Sequence, residues 1–180
     1  TDRLDYLSAM MNRHALVSVI EEGMGIELSD RIKYIRTIMD ELQRLDSHML
    51  YFGCCAQDLG ALTAFIYGMR DREQVLNVME ETTGGRLIQN YYRIGGCQAD
   101  IDPNFVKNVK KLCEYVKPMF KEYDDIFTGN VILQNRFKGV GVLSREDAIS
   151  YGCTGGTGRA CGWHNDVRKN HPYDFLPIYR

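Results

Sequence analysis

Residues 31–52, RIKYIRTIMDELQRLDSHMLYF, decide the fold. Ile32, Ile35, Met39, Leu42, Leu45, Met49 and Phe52 recur at steps of three and four, the spacing that gathers apolar side chains onto one core-facing stripe of an α-helix. Ser29 stands where an N-cap is expected. Gly23 and Gly25 separate this helix from an earlier segment in which Leu4, Leu7, Met11, Val17 and Ile20 keep a looser helical spacing. Two helices joined by a short glycine-containing turn predict an antiparallel hairpin, and with it a helical bundle.

Working outward, residues 54–81 (CCAQDLGALTAFIYGMRDREQVLNVMEE) place Leu62, Phe65 and Met69 on one helical face, with Asp71 and Gln74 at capping-box spacing where the helix could restart. Gly84 and Gly85 end that helix. RLIQNYYRIGG (86–96) then suits a short extended segment and a tight turn. Asp102 and Pro103 read as the N-cap and first turn of a long helix with the stripe Val106, Val109, Leu112, Val116, Met119, Phe120, Tyr123 and Phe127. Pro118 lies inside it and should bend it near Glu114, because the proline ring crowds the carbonyl four residues back. Ser144 caps a last short helix, SREDAISY, after which GCTGGTGRACG (152–162) reads as a mobile loop. The expectation is a mainly α fold: long antiparallel helices near 2–22, 28–52, 55–82, 103–127 and 144–151, with a small β-hairpin in 86–95. The whole of 1–180 is expected to be one domain, a bundle core over 1–128 followed by a short helix and a glycine-rich tail over 129–180.

The bulk numbers exclude several classes. A chain of 180 residues is long enough to bury about 70% of its unfolded surface. Its 22 basic and 24 acidic residues leave a net charge of −2 with no like-charge block, so neither a nucleic-acid surface nor a basic membrane anchor is expected. No apolar run approaches the ~18 residues of a spanning helix, and no charged-then-apolar leader appears. The six cysteines include the adjacent pair Cys54 and Cys55 in a chain too long for a disulfide mini-scaffold, and they read as reduced thiols of a cytosol-like compartment. Residue 1 is Thr and already stands close to a helical stripe, so the chain is expected to be an internal piece of something longer.

Candidate chemistry begins at Asp58. Positions 58, 62, 65 and 69 are spaced 4, 3, 4, which would put this carboxylate on the apolar face of Leu62, Phe65 and Met69, where it must find a basic partner or protonate. A helix-start aspartate capping Gly60 or Ala61 fits the sequence equally well. Tyr6 carries a phenol that can hydrogen-bond a carbonyl oxygen and supply a proton, although most tyrosines at helix tips only pack. His48, Cys54 and Cys55 suggest metal ligands, but adjacent helical residues point about 100° apart and no Cys-x-x-Cys occurs. Buried small hydrophobes is the better reading. Cys153, Cys161, His164 and His171 match no common zinc spacing. The glycines at 155, 156, 158 and 162 follow a helix rather than a strand and lack the lysine of a phosphate loop. Asn135, Arg136, Arg159, Arg168 and Lys169 could meet an anionic partner, with solvated surface as the ordinary alternative.

Six stretches taken together, DRLDYLSAMMN (2–12), QDLGALTAFIY with MRDRE (57–73), YYRIGG (91–96), TGN (128–130), GVGVLSREDA (139–148) and DVRK with PYD (166–174), resemble one family. It is the 49 kDa (D) subunit of respiratory complex I, the NADH:quinone oxidoreductase, itself akin to the large subunit of nickel–iron hydrogenases. The resemblance runs over nearly the whole chain and implies the middle, helical part of that subunit. It implies that Tyr6 hydrogen-bonds the quinone headgroup and that Asp58 pairs with a histidine on an N-terminal β-hairpin outside this chain. Cys55 stands where many members have histidine. Arg93, in YYRIGG, and Arg159 are implied to lie near a partner interface or the partner's cluster.

The resemblance further implies that this chain binds no metal or redox cofactor itself, and that electrons reach quinone from a 4Fe-4S cluster in a neighbouring subunit. The partners implied are that subunit, the 30 kDa (C) subunit and quinone. The place implied is peripheral, on the cytoplasmic face of a bacterial inner membrane or the matrix side of a mitochondrial one. Two alternatives remain from the sequence: a related subunit of a membrane-bound hydrogenase or other quinone-linked complex, and a non-catalytic helical interaction module.

Overall fold

The computed structural model describes residues 3–170 and 172–174. It is mainly α-helical with one small antiparallel hairpin. The helices are α1 (Ala9–Met24), α2 (Asp30–Asp58), α3 (Leu62–Thr83), α4 (Phe105–Tyr123), α5 (Val131–Phe137), α6 (Arg145–Ser150), α7 (Gly155–Ala160) and α8 (Val167–Asn170), and the strands are β1 (Tyr92–Arg93) and β2 (Gly96–Cys97). The chain divides into two compact units, one ending at Asn130 and the other beginning at Val131.

In the first unit, α2 is the central element. Its expected stripe is buried at Ile35, Met39, Leu42 and Met49, and it packs with Met10 and Val17 of α1, Val75 and Met79 of α3, Tyr92 of β1 and the preceding Tyr91, and Leu112 and Val116 of α4. α2 and α3 approach closely because Gly53 and Gly68 face each other across the pair. A Cβ on Gly68 would stand 2.8 Å from the Met49 carbonyl oxygen and 3.3 Å from the Gly53 Cα. Backbones meet there without intervening side chains.

Several boundaries differ from expectation, each for a local reason. α1 starts at Ala9, not near residue 2, because the Asp5 carboxylate accepts from the Leu7 amide at 3.0 Å and the Ser8 hydroxyl at 2.6 Å, a local turn that competes with helix. Leu4, expected on the core stripe, is therefore 78% exposed. Ser29 occupies the N-cap position of α2, yet its side chain makes no capping bond. α2 continues to Asp58, and α3 begins only at Leu62, after a turn through Gly60 at φ +89°, a left-handed conformation that glycine adopts without steric cost. α3 runs through Asp71 without a restart. α4 begins at Phe105, two residues later than expected, because Asp102 makes a turn of its own by accepting from the Asn104 amide at 2.8 Å. α4 also stays α-helical through Pro118, and its irregularity comes afterwards as a π-helical turn, Asp124–Thr128.

In the second unit, Ser144 caps α6 as expected, accepting from the Asp147 amide at 3.0 Å. The glycine-rich stretch expected as a loop instead contains α7, in which Gly158 is buried with its Cα hydrogens toward Cys153 and Trp163. α5 was not expected from the sequence at all. No helix among the described residues is long and apolar enough to cross a membrane.

Candidate functional site

Tyr6 sits in the turn before α1 and is 60% exposed. The same Asp5 bonds that end the helix hold this turn. Burial counts little against them at Asp5, where the hydrogen bonds from Ser8 and Leu7 lower the carboxyl below the usual carboxylate range. Asp58 is the last residue of α2 and is exposed. The expected apolar face through 58, 62, 65 and 69 does not exist, because the turn at 59–61 puts Asp58 and Leu62 on different helices; Leu62 and Met69 are themselves exposed. Tyr6 and Asp58 lie toward the same end of the α1–α2 pair, since His14 meets Asp40 and Glu21 meets Arg36 in antiparallel order. That order sets Ala9, the first residue of α1, level with residues 45–48 of α2, so Asp58 lies about 10–13 residues, or ~15–20 Å, beyond the start of α1.

Arg93 lies on β1, exposed, donating to Asn90 Oδ1 at 2.6 Å and Gln98 Oε1 at 3.0 Å. Arg159 belongs to the second unit, exposed on α7. Of the alternative metal ligands, His171 lies outside the described residues, and among those described no three His, Cys, Asp or Glu side chains are grouped as a metal site requires.

Behind the hairpin is a buried polar cluster that the sequence did not announce. Arg36, completely buried, makes a two-pronged pair with Glu21 at 2.8 and 2.7 Å and also donates to the carbonyls of Arg93 and Gly96, both at 3.0 Å. Glu21 accepts from the Gly95 amide at 2.7 Å. Burial alone would raise the Glu21 carboxyl, but the bonds from Arg36 and Gly95 outweigh it and hold the group below the usual range. His14 Nδ1 lies 2.5 Å from Asp40 Oδ2, and the Tyr92 hydroxyl donates to Asp40 Oδ1 at 2.7 Å. Burial, and then the Asp40 charge, push the Tyr92 phenol well above its ordinary value. Such a set is stable only because nearly every charge has a partner.

Further along α2, Asp46 meets Arg72 of α3 less well. Nε of Arg72 is 2.9 Å from Oδ1 but off the line a hydrogen bond needs, leaving a 3.3 Å bond to Oδ2. Burial therefore wins over the arginine, and the carboxyl is pushed up to about 6. A carboxyl whose pKa is higher folded than unfolded (about 3.9) binds more protons in the folded state, so its contribution to stability falls as pH rises from about 4 to about 6. Urea unfolding of wild type and Asp46→Asn across this window should show the wild-type advantage shrinking with pH. A pH-independent difference would remove Asp46 as the titrating group.

A second cluster joins α3 to α4. Buried Asp71 accepts from Arg70, Tyr115 and Tyr123, the last two at 2.7 and 2.6 Å, and Arg70 also donates to Glu122 at 2.7 Å. An open groove of about 710 Å³ lies beside it, lined by residues that include Tyr67, Arg70, Met119 and Ile126. Arg70 is already met by two carboxylates and Lys121, which also lines the groove, by Asp125, so both of its cations are paired within the chain.

Residues 58–179 match the family model described as respiratory-chain NADH dehydrogenase, 49 Kd subunit. The chain is 69% identical over 173 residues to the C/D subunit of NADH-quinone oxidoreductase from Bacteroides thetaiotaomicron, covering 96% of this chain and 33% of that protein. It is 46% identical to the D subunit of NADH-quinone oxidoreductase from Clostridium beijerinckii, again over 96% of this chain and 47% of the relative. It thus spans a third to about half of the length of these relatives. Among solved structures, a chain of the membrane-bound sulfane sulfur reductase, an archaeal respiratory membrane complex, superimposes with a TM-score of 0.86 at 31% identity, covering 89% of this chain and 43% of that one.

Proposed function

The chain belongs to the 49 kDa subunit family of respiratory-chain NADH dehydrogenase, and from that premise we propose that it supplies the quinone-orienting and proton-donating face of an NADH:quinone oxidoreductase. Tyr6 donates a hydrogen bond to a quinone carbonyl. Asp58 holds a histidine contributed from outside this chain, and Arg93 faces the neighbouring subunit whose 4Fe-4S cluster delivers the electrons. This chain binds no cluster of its own.

The observation that carries the reading is the phenol of Tyr6, presented outward from a turn that Asp5 closes by accepting from the Leu7 amide and the Ser8 hydroxyl. Preorganised donors act at the point where negative charge develops, and a phenol beside a carbonyl oxygen stabilises that charge and is placed to pass on a proton. The exposed Leu4 next to it suits a site completed by another subunit. Neighbours of this kind include the 30 kDa (C) subunit, supported by the C/D name of the Bacteroides relative, and they would hold the protein peripherally on the cytoplasmic face of the membrane. A second reading, in which the chain serves a reductase with another acceptor, is supported by the sulfane sulfur reductase neighbour. Its 31% identity against 69% for the quinone-linked relative favours quinone.

The test is Tyr6→Phe in the assembled enzyme. The ring stays and only the hydroxyl goes, leaving a desolvated oxygen unpaired at about 1–3 kcal/mol. Quinone reduction should fall about 5-fold to 150-fold, while the upstream donor still reduces the iron–sulfur chain normally. Wild-type turnover with several quinones would take Tyr6 out of the site.

A further inference from the structure

The hairpin that carries Arg93 is too small to hold itself. Its ladder pairs only Tyr92 with Cys97 and Arg93 with Gly96, and two-stranded hairpins are marginal in water even when longer. Side chains of α1 and α2 fix it instead. Arg36 donates to the carbonyls of Arg93 and Gly96, Glu21 accepts from the Gly95 amide, and Arg13 Nε donates to the Tyr92 carbonyl at 2.8 Å. These bonds grip Arg93 and Tyr92 on β1, the turn at Gly95, and Gly96, which pairs with Arg93 from β2, and the ion pair at their centre is buried.

The outward side differs. Arg70 and Arg86 are each met by two carboxylates. The side-chain bonds of the Arg93 guanidinium go to the amides of Asn90 and Gln98, which orient a cation without neutralising it. Beside it Ile94 is 51% exposed. The result is a directed positive charge, with no carboxylate partner among the described residues, on a small platform anchored from below.

We propose that Glu21 and Arg36 are positioning residues for Arg93, fixing through the hairpin backbone where its charge meets the redox partner. This deepens the reading that Arg93 faces the cluster-bearing subunit and rests on it. A cation near a cluster favours the reduced state, and its influence falls with distance. Loosening the anchor must therefore act in the same direction as removing the charge, and less strongly. A role confined to stability would lower the yield of assembled enzyme and leave the potential of the surviving enzyme unchanged.

The experiment measures the midpoint potential of the partner's 4Fe-4S cluster, with hydrogen exchange at the Gly95 amide, in the assembled enzyme carrying Arg93→Gln, Glu21→Gln or Arg36→Lys. Arg36→Lys keeps the charge, but a compact ammonium cannot reproduce the planar fork that reaches Glu21 and two carbonyls together. The expected result is a lowered potential in Arg93→Gln, a smaller lowering in the two anchor variants, and faster Gly95 exchange in those two. An unchanged potential in Arg93→Gln would overturn the placement of this surface against the cluster, and the proposal with it. A shift in Arg93→Gln with wild-type potentials in both anchor variants would overturn the positioning role alone. Failure of both anchor variants to assemble, where Arg93→Gln assembles, would count equally against that role.

Discussion

Arg36→Met should destabilise the chain by about 3–5 kcal/mol, the range for breaking one side of a buried ion pair. Methionine fills much of the space of the arginine stem, so the loss is not a cavity effect. It comes from what is left behind: a Glu21 carboxylate that is almost fully buried and keeps only the Gly95 amide among its described partners, and the carbonyls of Arg93 and Gly96 stripped of a donor. Protonation of Glu21 would relieve part of the cost, so the variant should lose less at pH 4 than at pH 7. Pairing it with Glu21→Leu should recover a large share, because replacing both partners by apolar groups avoids the stranded charge. Urea unfolding of the four members of this cycle provides the check. A single-variant loss below about 1 kcal/mol would show that the pair is solvated in a way its burial denies.

Gly68→Ala is expected to cost about 1–3 kcal/mol, toward the upper end of that range for overpacking. Helix propensity argues the other way, since alanine in a helix interior is favoured over glycine by about 1 kcal/mol. The clash decides the sign. At 2.8 Å from the Met49 carbonyl oxygen, the new methyl meets backbone, which cannot rotate aside as a side chain can, so α2 and α3 must separate along the length of their contact. Gly53→Ala is the control. Its Cβ would come 3.3 Å from a Phe65 ring carbon and from the Phe65 carbonyl oxygen, a contact that a few tenths of an ångström of adjustment relieves, and the propensity gain should nearly cancel its cost. Thermal unfolding of the two variants should therefore separate them by several degrees, and equal melting temperatures would refute the close-packing account.

The stripe on α2 was legible because seven apolar residues repeat through a helix that is buried along its length. The hairpin was legible for a similar reason: paired glycines bracket YYRIGG, and Gly95 takes the positive φ of 82° that the turn needs. Tyr6 was placed on a helix it does not belong to, because periodicity records apolar spacing and not the competing bonds of an aspartate three residues before Ser8. Asp58 was misread by the same method, since a 4, 3, 4 spacing is counted across Gly60 as readily as along a helix. Arg36, Asp40, Gln43 and Asp46 lie outside the apolar stripe of α2, yet all four are buried. Arg36, Asp40 and Asp46 find their partners Glu21, His14, Tyr92 and Arg72 15 to 52 residues away, and no local pattern encodes such pairings. The sign that was present is that these four recur at helical spacing themselves, opposite a histidine and a glutamate seven residues apart on α1.

The buried clamp also has a mechanical side. Arg13, His14 and Glu21, which grip the hairpin or the carboxylate that holds it, all belong to α1, and the turn bearing Tyr6 runs directly into the first residue of that helix. α1 is thus a single rod of 16 residues, about 24 Å long, with neither glycine nor proline from Ala9 to Glu22 to serve as a hinge. A displacement of the hairpin that preserves these bonds must carry the rod with it and move the Tyr6 turn at its far end. Tyr6 and Arg93 are distant in sequence, but they ride on one lever.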